Sequence, residues 1–286
     1  MNKPPRIRSL FCPALAKGIR WPNLLMVFLL FTFIYIRFPS LGMGSESLWL
    51  VVSAVLIMAG ANLENDWHDR HTDLHNRKFN WYLSGKECGP WASYLFYAGG
   101  LLSGWYFIRL RGFSPYCISC VAAVIILLML YNRTIKKMPL IGNVIISSLM
   151  VFLIMTVIIF YPAPVGVQKK LLFIAIWLFL INLNREIIKD FQDRKGDRRN
   201  RYQTLPVLSP RLGFQMLYAN ILMAWINMLA YINSVHLHIT AKIYFLLILL
   251  YMTWITYRWG RKYLFRKLSL HYKIILLAGM TGILLI

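Results

Sequence analysis

Apolar runs of about bilayer length recur from one end of this 286-residue chain to the other, near 22–38, 47–64, 90–108, 115–132, 140–161, 170–189, 211–233, 241–258 and 270–286. A helix needs about 20 residues to cross some 30 Å of hydrocarbon, whereas a membrane strand needs only about 10. Lipid offers no hydrogen-bond partner to the backbone, so spanning segments of this length fold as helices. The expectation is an all-α integral membrane protein: a bundle of about nine transmembrane helices, forming one domain over residues 1–286. The first run follows a basic leader, and no small-residue cleavage site comes after it. It is therefore expected to be a retained helix and not a signal peptide.

The net charge of +22 would by itself suggest a nucleic-acid binder. In a chain that is 58% hydrophobic it reads instead as membrane topology and attraction to anionic lipid headgroups. Nucleic acid is accordingly not expected as a partner, and membrane lipids are. Placing the N-terminus in the cytoplasm puts 26 Lys and Arg on that side and 6 on the other. This bias sets the orientation of the whole bundle in a plasma membrane of bacterial or archaeal type. Its polar mouth then faces the cytoplasm.

The acids are distributed as unevenly as the bases. All six aspartates fall in two groups, Asp66/Asp69/Asp73 and Asp190/Asp193/Asp197, each with the spacing +3, +7. Glu64 and Glu186 lie beside them, with Glu87 a little further off. On a helix, positions i, i+3 and i+7 share one face, so each group is a stripe of three like charges. Such a stripe destabilises a helix unless cations neutralise it. Mg²⁺ meets that need, because it prefers carboxylate oxygens completed by a substrate phosphate. The alternative is a solvated helix end with incidental acids. It is the weaker reading, because ionisable residues at membrane depth are costly.

The first stripe sits in Asn62-Leu-Glu-Asn65-Asp66-Trp-His-Asp69-Arg-His-Thr-Asp73, where Asn65 and Asp69 are one turn apart. In the second, Arg185, Lys189 and Arg198 alternate with Glu186, Asp190, Asp193 and Asp197. Carboxylates that hold metal, beside cations that hold an anion, suit a pyrophosphate. A third polar segment runs from Tyr131 through Lys136 and Lys137 to Gly142-Asn143. Lys136 or Lys137 is in reach of the same phosphate, or else serves as a positive-inside anchor. His68, His71 and His75 follow each aspartate by two residues, about 200° around the helix, and face away from the stripe. Packing or headgroup contact is expected there, and zinc is the lesser alternative. Cys117 and Cys120 read as small apolar packing residues.

At these residues the chain resembles the UbiA superfamily of intramembrane prenyltransferases. The family pattern Asn-Asp-x-x-Asp-x-x-x-Asp stands as Asn65 to Asp73. The pattern Asp-x-x-Asp-x-x-Gly-Asp, followed by Thr-Leu-Pro, stands as Asp190 to Asp197 and Thr204 to Pro206. Arg20, Pro22 and Asn23 resemble the family's approach to its first helix, and Tyr131, Lys136, Gly142 and Asn143 its fourth-helix motif. Two prolines usual after the first motif are absent between Asn76 and Trp81, and the usual arginine is Asn80. Ser84-Gly85 follows as in the family. Arg201 stands where the family usually has glycine.

The resemblance implies Mg²⁺-dependent transfer of a prenyl group from a polyprenyl diphosphate to a lipophilic acceptor. Asn65, Asp66, Asp69, Asp73, Asp190, Asp193 and Asp197 would bind metal. Lys136, Arg185, Lys189 and Arg198 would contact the diphosphate, and Tyr131 would face the allylic cation with its ring. The run Arg185 to Asp190 is most similar to the branch that alkylates geranylgeranylglyceryl phosphate. An aromatic-acid or naphthoate acceptor is the alternative. From another class, a divalent-cation transporter or a non-catalytic lipid-binding protein stays open. A transporter should carry ionisable residues along a path through the membrane, and here they stop at one face. Topology gives the first test. Labelling engineered cysteines at the two ends should find the N-terminus in the cytoplasm and the C-terminus on the far side; both ends on one side would rule out nine spans.

Overall fold

The structure, a computed structural model, describes residues 11–76, 78–84, 89–234 and 238–286, and the described residues contain helices and no strand. Arg77, Gly85, Glu87 and Cys88 lie outside them. The helices are α1 (Phe11–Gly18), α2 (Trp21–Arg37), α3 (Ser47–Asn76), α4 (Trp91–Leu110), α5 (Ile118–Arg133), α6 (Ile141–Phe160), α7 (Val165–Arg199), α8 (Leu205–Leu208), α9 (Pro210–Ser234), α10 (Ile239–Gly260) and α11 (Phe265–Thr281). Short 3-10 turns precede α5 and follow α11.

Each of the nine apolar runs coincides with a helix, and among the described residues seven helical segments are long and apolar enough to cross a membrane. The exceptions are α2, which has 17 residues, and α4, whose Trp, Tyr, Ser and Gly residues dilute its apolar content. Two short helices, α1 and α8, were not expected. The single turn of α8 starts at Leu205-Pro206, where proline's fixed φ suits a helix start and its missing N–H costs nothing.

α3 and α7 stand out by length, with 30 and 35 residues. At 1.5 Å per residue they rise about 45 and 52 Å, well beyond a hydrocarbon core of about 30 Å. The surplus is at their C-terminal ends, where the apolar pattern stops and the aspartates begin. Both stripes are therefore continuations of spanning helices and not loops.

The chain divides into two compact units. One comprises the chain up to Phe28 with Gly44–Arg133, the other Leu29–Met43 with Thr134–Ile286. In the first, α3 packs closely along α4 through small residues. The Ser53 hydroxyl donates to the Gly100 carbonyl at 2.8 Å, and a Cβ on Gly60 would stand 2.9 Å from the Ser93 carbonyl oxygen. Small residues of this kind let membrane helices approach to backbone contact. α5 packs against both α3 and α4.

In the second unit α7 is the central helix, packed by α6, α9 and α11, with α10 against α9 and α11. Trp177 is fully buried, ringed by Phe173 and Phe245, and fits only because Gly279 faces its indole nitrogen. Two turns further along, the Asn184 amide donates to the Tyr272 hydroxyl at 3.2 Å and accepts from Asn220 at 3.0 Å. Tyr272 also meets the Thr256 hydroxyl at 2.8 Å, so one buried polar network joins α7, α9, α10 and α11. Each member has a partner, as a dry interior demands.

The α3–α4 crossing yields a direct test. Gly60→Val places two methyls against the Ser93 backbone and should destabilise the protein by about 1–3 kcal/mol, more than the helix propensity it gains. Thermal unfolding in detergent measures this, and an unchanged Tm would contradict the close approach.

Candidate functional site

Because α3 stays helical through Asn76, the first stripe keeps its one-face geometry, and each carboxylate is tied by a different neighbour. Asp66 is 3% exposed. Its Oδ1 accepts from the Arg20 guanidinium at 3.1 Å and its Oδ2 from the Trp81 backbone N–H at 3.2 Å. Arg20 is itself oriented by Asn62, which accepts from the guanidinium at 3.5 Å while its amide donates to the Ile19 carbonyl at 2.9 Å. Burial opposes the Arg20 charge, but the charges of Asp66, Asp69 and Asp73 outweigh it and hold the proton more firmly than usual. One turn on, the Asn65 amide donates to Asp69 at 2.9 Å.

Asn80, at the position where the resemblance leads one to expect arginine, is buried and makes three hydrogen bonds. Its amide donates to Asp73 Oδ2 at 2.8 Å and to the Asp66 carbonyl at 2.6 Å. Its carbonyl accepts from the Tyr82 N–H at 3.0 Å. It thus fastens the 78–82 segment onto the stripe with a neutral amide where a cation was expected.

The second stripe, on α7, is tied in the same manner. Asn143, at the start of α6, donates to Asp190 Oδ2 at 2.8 Å, and the Thr204 hydroxyl donates to Asp197 at 3.1 Å. Gly142 is obligatory beside Asn143, since a Cβ there would lie 2.9 Å from the Lys136 backbone and 3.0 Å from the Ile135 carbonyl. Arg185 and Lys189 both engage Glu186, at 3.0 and 2.6 Å. These two expected diphosphate cations are therefore held together by one buried acid, a cluster of net charge +1. Arg198 is exposed on the same helix. Lys136 is partly buried in the 3-10 turn Ile135–Lys137, and Tyr131 partly buried near the end of α5. Lys137 lies over the Tyr202 ring at 5.2 Å, and its carbonyl accepts from the Gln203 N–H at 3.0 Å.

The histidines do not assemble a site. His75 bonds to the His71 carbonyl on its own helix, and His68 lies 3.8 Å from Glu64. Cys117 and Cys120 are free thiols. Among the described residues no three His, Cys, Asp or Glu side chains converge on a metal-sized point. Mg²⁺ takes one or two carboxylates plus phosphate and water and does not need an all-protein cage. The donor set is hard oxygen throughout, and the middle acid of each stripe, Asp69 or Asp193, is only partly buried. Of the residues that organise the first stripe, the Trp81 N–H had no signal in the sequence, because any residue supplies a backbone donor.

These are the features of an integral membrane protein with acid-bearing helices that overrun the bilayer. The UbiA prenyltransferase family matches residues 18–273, and the chain belongs to that family. Among similar proteins, the digeranylgeranylglyceryl phosphate synthase of Methanopyrus kandleri is 34% identical over 162 residues, 54% of this chain and 55% of that one. The synthase of the same name from Methanothrix thermoacetophila is 32% identical over 162 residues, 55% of this chain and 57% of that one. The chain thus spans about half the length of the curated relatives it matches. Two solved structures share the fold. One, from work on digeranylgeranylglyceryl phosphate synthase in membranes, has a TM-score of 0.68 at 22% identity, over 96% of this chain and 98% of that one. The other, a UbiA homolog from Archaeoglobus fulgidus bound to DMAPP and Mg²⁺, has a TM-score of 0.63 at 15% identity, over 95% and 99%.

Asn80 provides the test of this geometry. Asn80→Ala strips Asp73 Oδ2 of the Asn80 amide and should cost about 1–3 kcal/mol, as a buried group left unpaired does. Amide exchange of residues 78–82 should quicken in the variant; unaltered protection would mean that Asn80 does not hold the segment.

Proposed function

We propose that this protein transfers a prenyl group from an allylic polyprenyl diphosphate to a lipophilic, phosphorylated acceptor of the glycerol-phosphate ether-lipid type, using Mg²⁺. The observation that carries the reading is the pair of matched aspartate stripes on helices that emerge from the bilayer. Family membership and the relatives' names support it. In this reading α2 and α4 also span, which makes nine crossings. The N-terminus is cytoplasmic, and both stripes lie at the cytoplasmic face of a plasma membrane.

The chemistry asks the protein for charge and dryness. The allylic carbon–oxygen bond breaks, and its electron pair leaves on the diphosphate. The acceptor hydroxyl oxygen then bonds to the allylic carbon and loses its proton. Asn65, Asp66, Asp69 and Asp73 on one stripe, and Asp190, Asp193 and Asp197 on the other, would hold Mg²⁺, which when bound supplies positive charge to the leaving diphosphate. Lys136, Arg185, Lys189 and Arg198 add direct donors, charge stabilisation being commonly the largest catalytic term. Glu186 would keep Arg185 and Lys189 poised while leaving a net positive charge for phosphate. Tyr131 would offer its ring face to the allylic cation, and the apolar surroundings would keep water from it.

The test is turnover by the purified protein, with lipid products identified by mass spectrometry. Asp69→Asn and Asp193→Asn should each lower activity about 10²–10³-fold, as loss of one electrostatic stabiliser does elsewhere, and EDTA should abolish it. Full activity in EDTA or in either variant would defeat the metal–diphosphate assignment. Prenylation of an aromatic acid, with no product from any glycerol-phosphate lipid, would reverse the acceptor and leave the aspartate chemistry standing.

A further inference from the structure

Glu64 is 1% exposed, the most deeply buried acid among the described residues, and it does not belong to either stripe. At about 100° per residue, Asp66, Asp69 and Asp73 lie about 200°, 140° and 180° around α3 from it. The stripe is therefore centred almost diametrically opposite Glu64. What the front of the helix presents to a ligand is fixed by what grips its back.

The grip is specific. The Tyr97 hydroxyl on α4 donates to Glu64 Oε2 at 2.8 Å, and the Asn132 amide on α5 donates to the same oxygen at 3.3 Å. Asn132 also donates to the Ala61 carbonyl at 3.1 Å, so it holds the helix backbone and the acid together. Arg133 Nε stands 3.8 Å from Oε1, and so does His68 Nε2 from the next turn of α3. Both neighbouring helices thus converge on one carboxylate, one turn beyond the glycine crossing at Gly60. A buried acid is a poor source of stability, since a well-packed apolar side chain would avoid its desolvation. What it supplies is a single rotational setting, because rolling α3 would strand a buried charge.

We propose that Glu64 is a positioning residue for the first aspartate stripe, holding α3 in the rotation that presents Asp66, Asp69 and Asp73 to the metal and diphosphate. The proposal rests on the function proposed above. It distinguishes Glu64 from the ligands, since it touches none of the reacting groups. Partners that orient metal ligands from outside typically matter 10–100-fold in affinity.

The test is calorimetric titration of the purified full chain with inorganic pyrophosphate in Mg²⁺, followed by steady-state kinetics. Glu64→Gln keeps the side chain's shape and an acceptor for Tyr97, but removes the charge. It should weaken Mg²⁺-dependent pyrophosphate binding roughly 10–100-fold and raise the donor KM, with the acceptor KM unchanged. Tyr97→Phe deletes one hydroxyl and should shift the same quantities in the same direction. The double variant should be no worse than Glu64→Gln alone, and Tyr97→Phe serves if Glu64→Gln does not fold. Thr256→Ala, in the polar network of the other unit, controls for lost stability and should leave pyrophosphate affinity unchanged. Wild-type affinity in Glu64→Gln, or equal weakening by Thr256→Ala, would overturn the proposal alone. No Mg²⁺-dependent binding by the wild-type chain would overturn it together with the function on which it rests.

Discussion

Like charges stacked along one face of a helix repel, and beside a bilayer water cannot fully screen them. The architecture answers this repulsion mainly with neutral amides and hydroxyls. Asn65 serves Asp69, Asn80 serves Asp73, Asn143 serves Asp190 and Thr204 serves Asp197. Asp66 takes a guanidinium. Neutral donors orient a carboxylate without cancelling its charge, so the stripe stays attractive to a divalent cation. Each donor also arrives from a different piece of chain. The 78–82 segment, the start of α6 and the approach to α8 are therefore fixed in place by the acids they serve.

Much of this was legible in the sequence, because the signals were local. Apolar length gave the helices, since lipid leaves the backbone no other economical solution. The +3, +7 spacing gave the stripes, since it means one face only if the chain is helical there. What the sequence did not disclose is tertiary. Glu64 reads as one more acid near a motif, and only packing sets Tyr97 and Asn132, 33 and 68 residues away, against it. Arg185 and Lys189 read as free phosphate ligands, yet Glu186 between them engages both. Asn80 reads as a lost cation. Folded, it is a clamp whose three hydrogen bonds an arginine could not all make, having no acceptor.

The two units solve their burial problems differently. In the first, glycine and serine let α3 and α4 meet at backbone distance, and a charged carboxylate then fixes their rotation. In the second, α7 is surrounded by large side chains, and Asn184, Asn220, Thr256 and Tyr272 supply a neutral network in place of a charge. A charge that must keep its partners penalises rotation more steeply than an amide that can exchange them. The ionic anchor therefore stands behind α3, whose front face carries the Arg20–Asp66 pair. The acids of α7 are steadied instead by Asn143 and Thr204 directly.

Backbone strain follows the same map. Among the described residues four non-glycine residues have positive φ: Arg20, Leu140, Arg201 and Tyr263. The left-handed region costs such residues roughly 1–2 kcal/mol. Three of the four flank the stripes. Arg20 holds Asp66, Leu140 lies three residues before Asn143, and Arg201 closes the turn after Asp197, where the Tyr202 N–H returns to the Asp197 carbonyl at 2.8 Å. At Arg201 the family's usual glycine has an evident physical reason, since φ is 58° and glycine adopts that value freely. The arginine keeps the turn and bears the strain, which shows that the turn is imposed by its surroundings and not by the residue occupying it. Strain held at such points persists only where the neighbouring structure over-determines the conformation. At Arg20 that support is the hydrogen bond to Asp66, and at Arg201 it is the backbone bond from the Tyr202 N–H to the Asp197 carbonyl that closes the end of α7.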